Sequence, residues 1–234
     1  MKKIAALLLC ALLALNTVSC ANDKLLVNEG ETQENRPVVT EPVSSETDAV
    51  TEEKRDLALG NIDGNTYKSD FIGIGCTLGD GWVFYTDEQI AELNGIRDSL
   101  LDDEYLEQMK KATVLYDMYA ANQAQSSTIN ITLEKGTKLG VFMTDIDAVL
   151  TKSVDSLKSS FENMGGANFK YELRDVKIGD ETFNGMDIYV EINGVPLYET
   201  MICIKSSEYL AYVCVASYVD NLSDEILGTF FTVD

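Results

Sequence analysis

The sequence predicts an α+β domain in which a largely antiparallel sheet carries packed helices. Segments of alternating polar and apolar residues predict strands, and turn signals such as Asn193-Gly194 join them as hairpins. Apolar residues at helical spacing between Ile146 and Met164 predict one long amphipathic helix. Both alternating sets of Tyr209–Tyr218 are mainly apolar, so this strand is expected at the centre of the sheet with both faces covered.

The N-terminal elements of the domain are predicted from turn and capping residues. Residues 67–78 and 82–85 are predicted strands on either side of the turn Gly79-Asp80-Gly81. Residues 86–89 form a capping box, which opens a helix. The apolar face of that helix is Ile90, Leu93, Ile96 and Leu100, and a second helical piece contains Leu106 and Met109.

The central elements are two strands followed by the long helix. Residues 114–120 and 128–133 are predicted strands, and the second alternates cleanly. Its inward residues are Ile129, Ile131 and Leu133, so Thr128, Asn130 and Thr132 are expected to point out. Thr144 is expected to cap the long helix, and Gly165-Gly166 to end it.

The C-terminal part is predicted as a meander of strands and a short helix. The strands cover residues 169–178, 182–192, 195–204 and 209–218, with turns at Gly179-Asp180, Asn193-Gly194 and near Ser206-Ser207. The helix is expected to be capped by Asn221 or Ser223 and to bury Ile226, Leu227 and Phe230.

The chain divides into a leader, a tether and one domain. Lys2 and Lys3 precede the apolar run Ile4–Leu15, which is typical of a secretory signal covering residues 1–19 and is too short to cross ~30 Å of hydrocarbon. Residues 20–60 are acidic, contain two of the three prolines and have no aromatic residue, which predicts a disordered tether. Residues 61–234 contain every aromatic residue and are expected to form a single globular domain.

The segment Thr17-Val18-Ser19-Cys20 resembles the lipobox of bacterial lipoproteins. This resemblance implies that the Cys20 thiol receives a diacylglycerol and that the protein is anchored on the extracytoplasmic side of the bacterial cell membrane. Two buried acyl chains hold a protein stably, whereas one holds it marginally. The alternative is ordinary secretory cleavage after Ala21, which would release the protein. The sequence leaves open whether the host has one membrane or two.

Charge and residue usage exclude several function classes. Removal of residues 1–19 leaves 16 basic and 39 acidic side chains, a net charge near −23, so nucleic-acid binding is not expected. The chain has no histidine, which excludes Ser-His-Asp and Cys-His catalysis and histidine-ligated zinc. Cys76, Cys203 and Cys214 remain beyond Cys20 and are expected as buried thiols, although Cys203 and Cys214 lie on neighbouring predicted strands and could pair.

Few residues of the sequence indicate a chemistry. Trp82 is either a stacking platform or, more often for such a position, a core residue. Tyr189 lies on the polar face of its strand and, with the Thr128, Asn130 and Thr132 row, could form a mixed aromatic and polar interaction surface. Asn61, Asp63 and Asn65 resemble the start of a calcium loop but lack its later residues, which favours a simple turn. We expect no catalytic residue, no cofactor and no metal.

Residues 71–78 and Gly81-Trp82, followed by the long helix and the closing meander, resemble the PsbP/Mog1-like fold. This α/β/α sandwich also occurs in small DcrB-like bacterial lipoproteins, and the chain is similar to lipoproteins of clostridial-type bacteria. The resemblance implies a non-enzymatic binding or accessory module of the cell envelope, with another envelope protein or a small ligand as partner. A carboxylate-dependent enzyme acting on cell-wall glycans and a small-molecule receptor are the alternatives.

Overall fold

A large antiparallel sheet organises the molecule, and a computed structural model describes residues 57–95 and 111–233 of it. Outside the described residues lie the predicted signal peptide, Cys20, the predicted tether up to residue 56, and four residues predicted to be helical, Ile96, Leu100, Leu106 and Met109. The elements are β1 Asn61–Asp63, β2 Thr66–Ser69, β3 Ile74–Thr77, β4 Trp82–Phe84, α1 Asp87–Leu93, β5 Val114–Asn122, β6 Ser127–Lys135, α2 Lys138–Met143, α3 Ile146–Asn163, β7 Gly166–Ile178, β8 Glu181–Ile192, β9 Val195–Ser206, β10 Tyr209–Tyr218, α4 Ser223–Leu227 and β11 Phe230–Thr232.

The α+β prediction is confirmed, with β10 inside the sheet as its composition predicts. Seven strands in the order β4-β5-β6-β10-β9-β8-β7 form the large sheet. The pairing of β10 with both β6 and β9 is antiparallel. Because one set of β10 side chains packs beneath a small second sheet and the other beneath α3, both faces of this strand are covered.

The small sheet was not predicted, and it corrects two elements. Residues 67–78 form two strands rather than one, because the chain turns back between β2 and β3 at Gly73, whose φ is 72°. Phe230 lies in β11 and pairs with Cys76 of β3 instead of extending the C-terminal helix. The small sheet has the order β1-β2-β3-β11 and covers one face of the large sheet.

The predicted cap of α1 is confirmed, whereas the predicted caps of α3 and α4 are wrong. Thr86 and Gln89 form the predicted capping box of α1. Thr144 does not begin the long helix: it ends α2, a short helix that was not predicted, and Asp145 caps α3 through its hydrogen bond to the Ala148 amide. Aspartate and threonine are both favoured N-cap residues, so the apolar periodicity alone did not decide which of the neighbours Thr144 and Asp145 caps the helix.

The hydrophobic core has one part on each face of the large sheet. On the first face, α3 packs Leu150, Leu157 and Phe161 against β8, β9 and β10. On the second face, the small sheet packs against β5, β6 and β10, and Leu57 and Leu59 join this part. The folded unit therefore includes residues 57–60, which composition alone placed in the tether. Cys76, Cys203 and Cys214 are buried free thiols, as expected.

A buried carboxylate joins the two sheets. Asp117 is the extra residue of a β-bulge in β5, between Tyr116 and Met118. It accepts hydrogen bonds of 2.7 Å from the Tyr67 hydroxyl of β2 and 2.7 Å from the Gly60 amide. Burial raises the pKa of Asp117 to about 6, against the lowering effect of these two donors.

Candidate functional site

A groove lies over the β7–β9 side of the large sheet, on the face that α3 does not cover. Its volume is about 320 Å³ and it is open to solvent. We call it the tyrosine groove, after the two rings that line it. Its lining includes Lys170, Tyr189, Tyr198, Thr200, Asn221 and Ser223.

Hairpin register places the two tyrosines side by side. Asn193 and Gly194 have φ values of 51° and 80°, as a type I′ turn requires, and they join β8 directly to β9. The register that follows pairs Tyr189 with Tyr198. Their ring centroids are 5.3 Å apart with an interplanar angle of 57°, and both side chains are half-buried. The result is a ledge of two partly exposed aromatic rings.

The polar groups beneath the rings are held in fixed positions. Arg174 of β7 donates to Asp187 of β8 at 3.0 Å and to Asp224 of α4 at 2.7 Å. Thr200 of β9 donates to the other carboxylate oxygen of Asp187 at 2.6 Å. This network ties three strands to α4, so the floor of the groove keeps its shape without a ligand.

The N-terminal end of α4 forms the other wall. The Ser217 hydroxyl accepts a hydrogen bond from the Leu222 amide at 3.1 Å and donates to the Asp220 carbonyl at 2.9 Å, which fixes the turn before the helix. The N-cap of α4 is Leu222, with no side-chain cap, so the prediction that Asn221 or Ser223 caps this helix is wrong; Asn221 accepts from the Ser223 amide at 3.2 Å in the preceding turn. The Ser223 hydroxyl is buried, lines the groove and has no hydrogen-bond partner among the described residues.

The chemistry of the tyrosine groove is that of recognition. The Lys170 ammonium lies 5.6 Å from the centroid of the Tyr189 ring, and the Tyr189 hydroxyl donates to Glu191 at 2.8 Å. This hydrogen bond is the main cause of a raised Tyr189 pKa, so the hydroxyl stays protonated at neutral pH. The groove thus offers aromatic faces, one cation and several hydrogen-bonding groups to a ligand with both apolar and polar faces.

The Thr128, Asn130 and Thr132 row does not extend this surface. These three side chains are between 1% and 3% exposed, so the expectation that they point to solvent is wrong. The register pairs Thr128 with Ala216, Ala216 with Glu199 and Glu199 with Ile188, which places the row on the α3 side of the sheet, opposite Tyr189. The prediction failed because alternation shows which residues share a face of the strand, but does not show whether that face is covered.

Trp82 lies far from the tyrosine groove. Its strand, β4, is one edge of the large sheet, and five strand spacings, or about 24 Å, separate it from β8. The Trp82 ring is half-buried and packs against the core, as most tryptophans at such positions do. One side of it borders a separate surface depression of about 530 Å³. Trp82 and Tyr189 therefore cannot act on one small ligand.

Sequence reasoning missed Tyr198, and the signal for it was present. A two-residue hairpin turn fixes the register of its strands, so Asn193-Gly194 alone requires Tyr189 to face Tyr198. The roles of Arg174 and Asp224 were not accessible in this way, because they meet across 50 residues of chain. Only the folded position of α4 brings them together.

Among residues 57–95 and 111–233, no group of three or more potential metal-ligating side chains is found. Two carboxylates do lie together, because Glu172 pairs with Asp187 across β7 and β8 and both residues line the groove. Asn65, from the calcium-like segment, donates to the Leu78 carbonyl at 2.8 Å and so stabilises a turn. The most perturbed carboxylic acids are Glu199, with a pKa raised to about 7 by burial, and Asp117. They face opposite sides of the large sheet and do not share a cleft.

Comparisons with known proteins give only distant likenesses. No protein-family model matches the chain, and no curated protein matches it. A crystal structure of a protein from Bacteroides thetaiotaomicron VPI-5482 matches with a TM-score of 0.41 and 8% identity over 74% of this chain and 50% of that one. This chain thus spans half the length of that protein. LpqN of Mycobacterium tuberculosis, described as involved in cell envelope biogenesis, matches with a TM-score of 0.34 and 10% identity over 69% of this chain and 83% of LpqN.

At these identities and TM-scores neither likeness adds to the argument for fold or function. Within the described part of the chain, no helix has the length and apolar character needed to cross a membrane.

Proposed function

We propose that this protein is a non-enzymatic lipoprotein of the bacterial cell envelope, anchored through Cys20, that binds its partner in the tyrosine groove. The PsbP/Mog1-like resemblance and the extracytoplasmic location are parts of this proposal. The partner is a segment of another envelope protein or a small ligand. The protein acts as a binding or accessory module.

One observation carries the proposal: an open groove with two partly exposed tyrosine rings over a rigid polar floor. Tyrosine is enriched at recognition surfaces because it supplies a large contact area and a hydrogen-bonding group at a low cost in conformational entropy. The Arg174 network is already formed, so ligand binding does not have to order it.

The test is a thermal shift measurement on the full chain with Ca²⁺, cell-wall fragments, sugars and peptides. A ligand at a hundred times its dissociation constant adds about 2.7 kcal/mol to the free energy of unfolding, which raises the melting temperature by several degrees. We expect a saturable shift with at least one sugar or peptide. Absence of any shift across the panel would leave only a partner protein for the groove, to be sought by binding assays on envelope fractions.

Replacing Tyr189 with alanine is expected to weaken binding of that ligand by about tenfold or more, because the ring supplies contact area at the centre of the groove. Tyr85→Ala is the matched control. Tyr85 is half-buried like Tyr189, but it follows β4 at the far edge of the large sheet, where its ring centroid lies 4.4 Å from that of Tyr119. Isothermal titration of both variants measures the effect, and equal losses in the two would rule out the groove as the binding surface.

The alternative of a carboxylate-dependent enzyme needs two carboxyl groups about 5–10 Å apart in one cleft. The tyrosine groove has one such pair, Glu172 opposite Asp187, but Asp187 is already engaged by Arg174 and Thr200. These contacts favour a binding role for the groove over acid–base catalysis.

A further inference from the structure

Three large apolar side chains project from α2 into solvent. Leu139, Phe142 and Met143 are 72%, 65% and 70% exposed. Their spacing of three and four residues puts them on one face of the helix. We call them the apolar tip. Among the described residues no other stretch of six carries three large exposed apolar side chains, and such clusters mark interaction surfaces.

The apolar tip is held outward by a well-anchored helix. Val141, on the opposite face of α2, is 4% exposed. Thr137 caps the helix by accepting from the Gly140 amide at 3.1 Å, and Thr144 donates to the Gly140 carbonyl at 2.6 Å. Lys205 of β9 donates to the Phe142 carbonyl at 3.2 Å. Turning the tip inward would require breaking these contacts, so its exposure is built into the fold.

Cations lie beside the tip, although the chain as a whole is strongly acidic. Lys138 is the first residue of α2, and the Lys205 ammonium lies at the base of Phe142. Lys135, at the end of β6, is 3.4 Å from Glu208. Asp145, just after α2, directs its carboxylate to the Ala148 amide of α3. An apolar surface flanked by lysines complements the acyl region and the phosphates of a phospholipid surface.

We propose that the apolar tip inserts into the interfacial region of a phospholipid bilayer, with Lys138 and Lys205 at the level of the phosphates. A projecting surface suits lipid, which deforms around it, whereas a protein partner would need a matching pocket. The inference rests on the proposed anchor at Cys20 only in that the anchor keeps the domain near a bilayer. The anchor retains the whole chain, and the tip orients it.

The experiment places a tryptophan at the tip and measures quenching by brominated lipid. Lipidated full chain carrying Phe142→Trp is reconstituted into vesicles of phosphatidylcholine and phosphatidylglycerol, with and without dibrominated phosphatidylcholine. Val83→Trp is the matched control, because Val83 is 67% exposed but lies far from the tip. Through β5, Val83 is aligned with the start of β6, whereas the tip follows the end of β6. Trp82 is present in both variants and in the unmodified chain, which gives the baseline.

We expect brominated lipid to quench the added tryptophan about twofold more at position 142 than at position 83. Equal or absent quenching at the two positions, in a chain that sediments with the vesicles, would overturn the proposal while leaving the anchor intact. Self-association that Leu139→Ser with Phe142→Ser abolishes would also overturn it, because a second copy would then cover the tip. Quenching at position 142 in a chain that lacks the diacylglyceryl group at Cys20 would support the tip and show that it reaches the bilayer without the anchor.

Discussion

Replacing Asp117 with alanine is expected to lower the free energy of unfolding by about 3 kcal/mol or more at pH 7. The substitution leaves the buried Tyr67 hydroxyl and the half-buried Gly60 amide without their acceptor, and a buried group that is left unsatisfied costs about 1–3 kcal/mol. Asp117 is 6% exposed and Tyr67 is fully buried, so water does not readily replace the lost bonds. Urea denaturation of the two chains measures the difference.

The matched control is Asp175→Ala, an exposed aspartate on β7, for which we expect a change within about 0.5 kcal/mol. A double-mutant cycle of Asp117→Ala and Tyr67→Phe isolates the hydrogen bond itself, because alanine offers the Tyr67 hydroxyl no acceptor. We expect a coupling energy of about 1 kcal/mol or more, because the acceptor is a charged, buried group. If Asp117→Ala unfolds at the same denaturant concentration as the unmodified chain, the two sheets are not joined by this contact.

Replacing Glu199 with glutamine is expected to change how stability depends on pH. Glu199 is 4% exposed, and burial alone raises its pKa from 4.5 to about 7. The folded state therefore keeps this proton between about pH 4.5 and pH 7, where the unfolded chain has released it. The unmodified protein loses stability as the pH rises through this window, by about 3 kcal/mol in total from Glu199. The variant lacks this loss.

The window is unusually clean because the chain has no histidine, whose ordinary titration falls in the same range. The raised pKa of Asp117 also lowers stability as the pH rises, but this loss is complete near pH 6. The range from pH 6 to pH 7.5 therefore reports mainly on Glu199. The free energy of unfolding, measured by denaturation at several pH values in this range, should fall with pH for the unmodified chain and for the exposed control Glu181→Gln. It should stay constant for Glu199→Gln. If the free energy of unfolding of all three chains fell equally with pH, the pKa of Glu199 would not be raised in the folded state.

The two acids illustrate what the sequence could and could not predict. Alternation along β6 and β10 correctly predicted strands, and the Asn193-Gly194 signal correctly predicted a tight hairpin. The sequence predicted two covered faces for β10 only, and alternation along β6 and β9 did not extend this to them, so Glu199 and the Thr128, Asn130 and Thr132 row were not recognised as buried. The bulge at Asp117 adds one residue to β5. Only the hydrogen bond from Tyr67 in the small sheet shows that this residue joins the two sheets.

The same limit applies to the tyrosine groove. Tyr189 was recognised because local alternation puts it on a polar face, and the hairpin turn contains the information that places Tyr198 opposite. The polar floor depends on α4 returning to the sheet 50 residues after Arg174. Contacts of that sequence separation are set by the packing of the whole domain. Local pattern therefore predicts one side of the groove, and tertiary structure supplies the other.

The most direct test of the groove is the spectrum of the tyrosine rings. Full chain labelled with carbon-13 in its tyrosine rings would be titrated with soluble glycan and peptide fractions of the cell envelope. We predict that the ring signals of Tyr189 and Tyr198 shift saturably with one fraction, while the signal of Tyr85, at the β4 edge of the sheet, does not. Movement of Tyr85 without Tyr189 and Tyr198, or no movement of any ring with any fraction, would contradict recognition through the tyrosine groove.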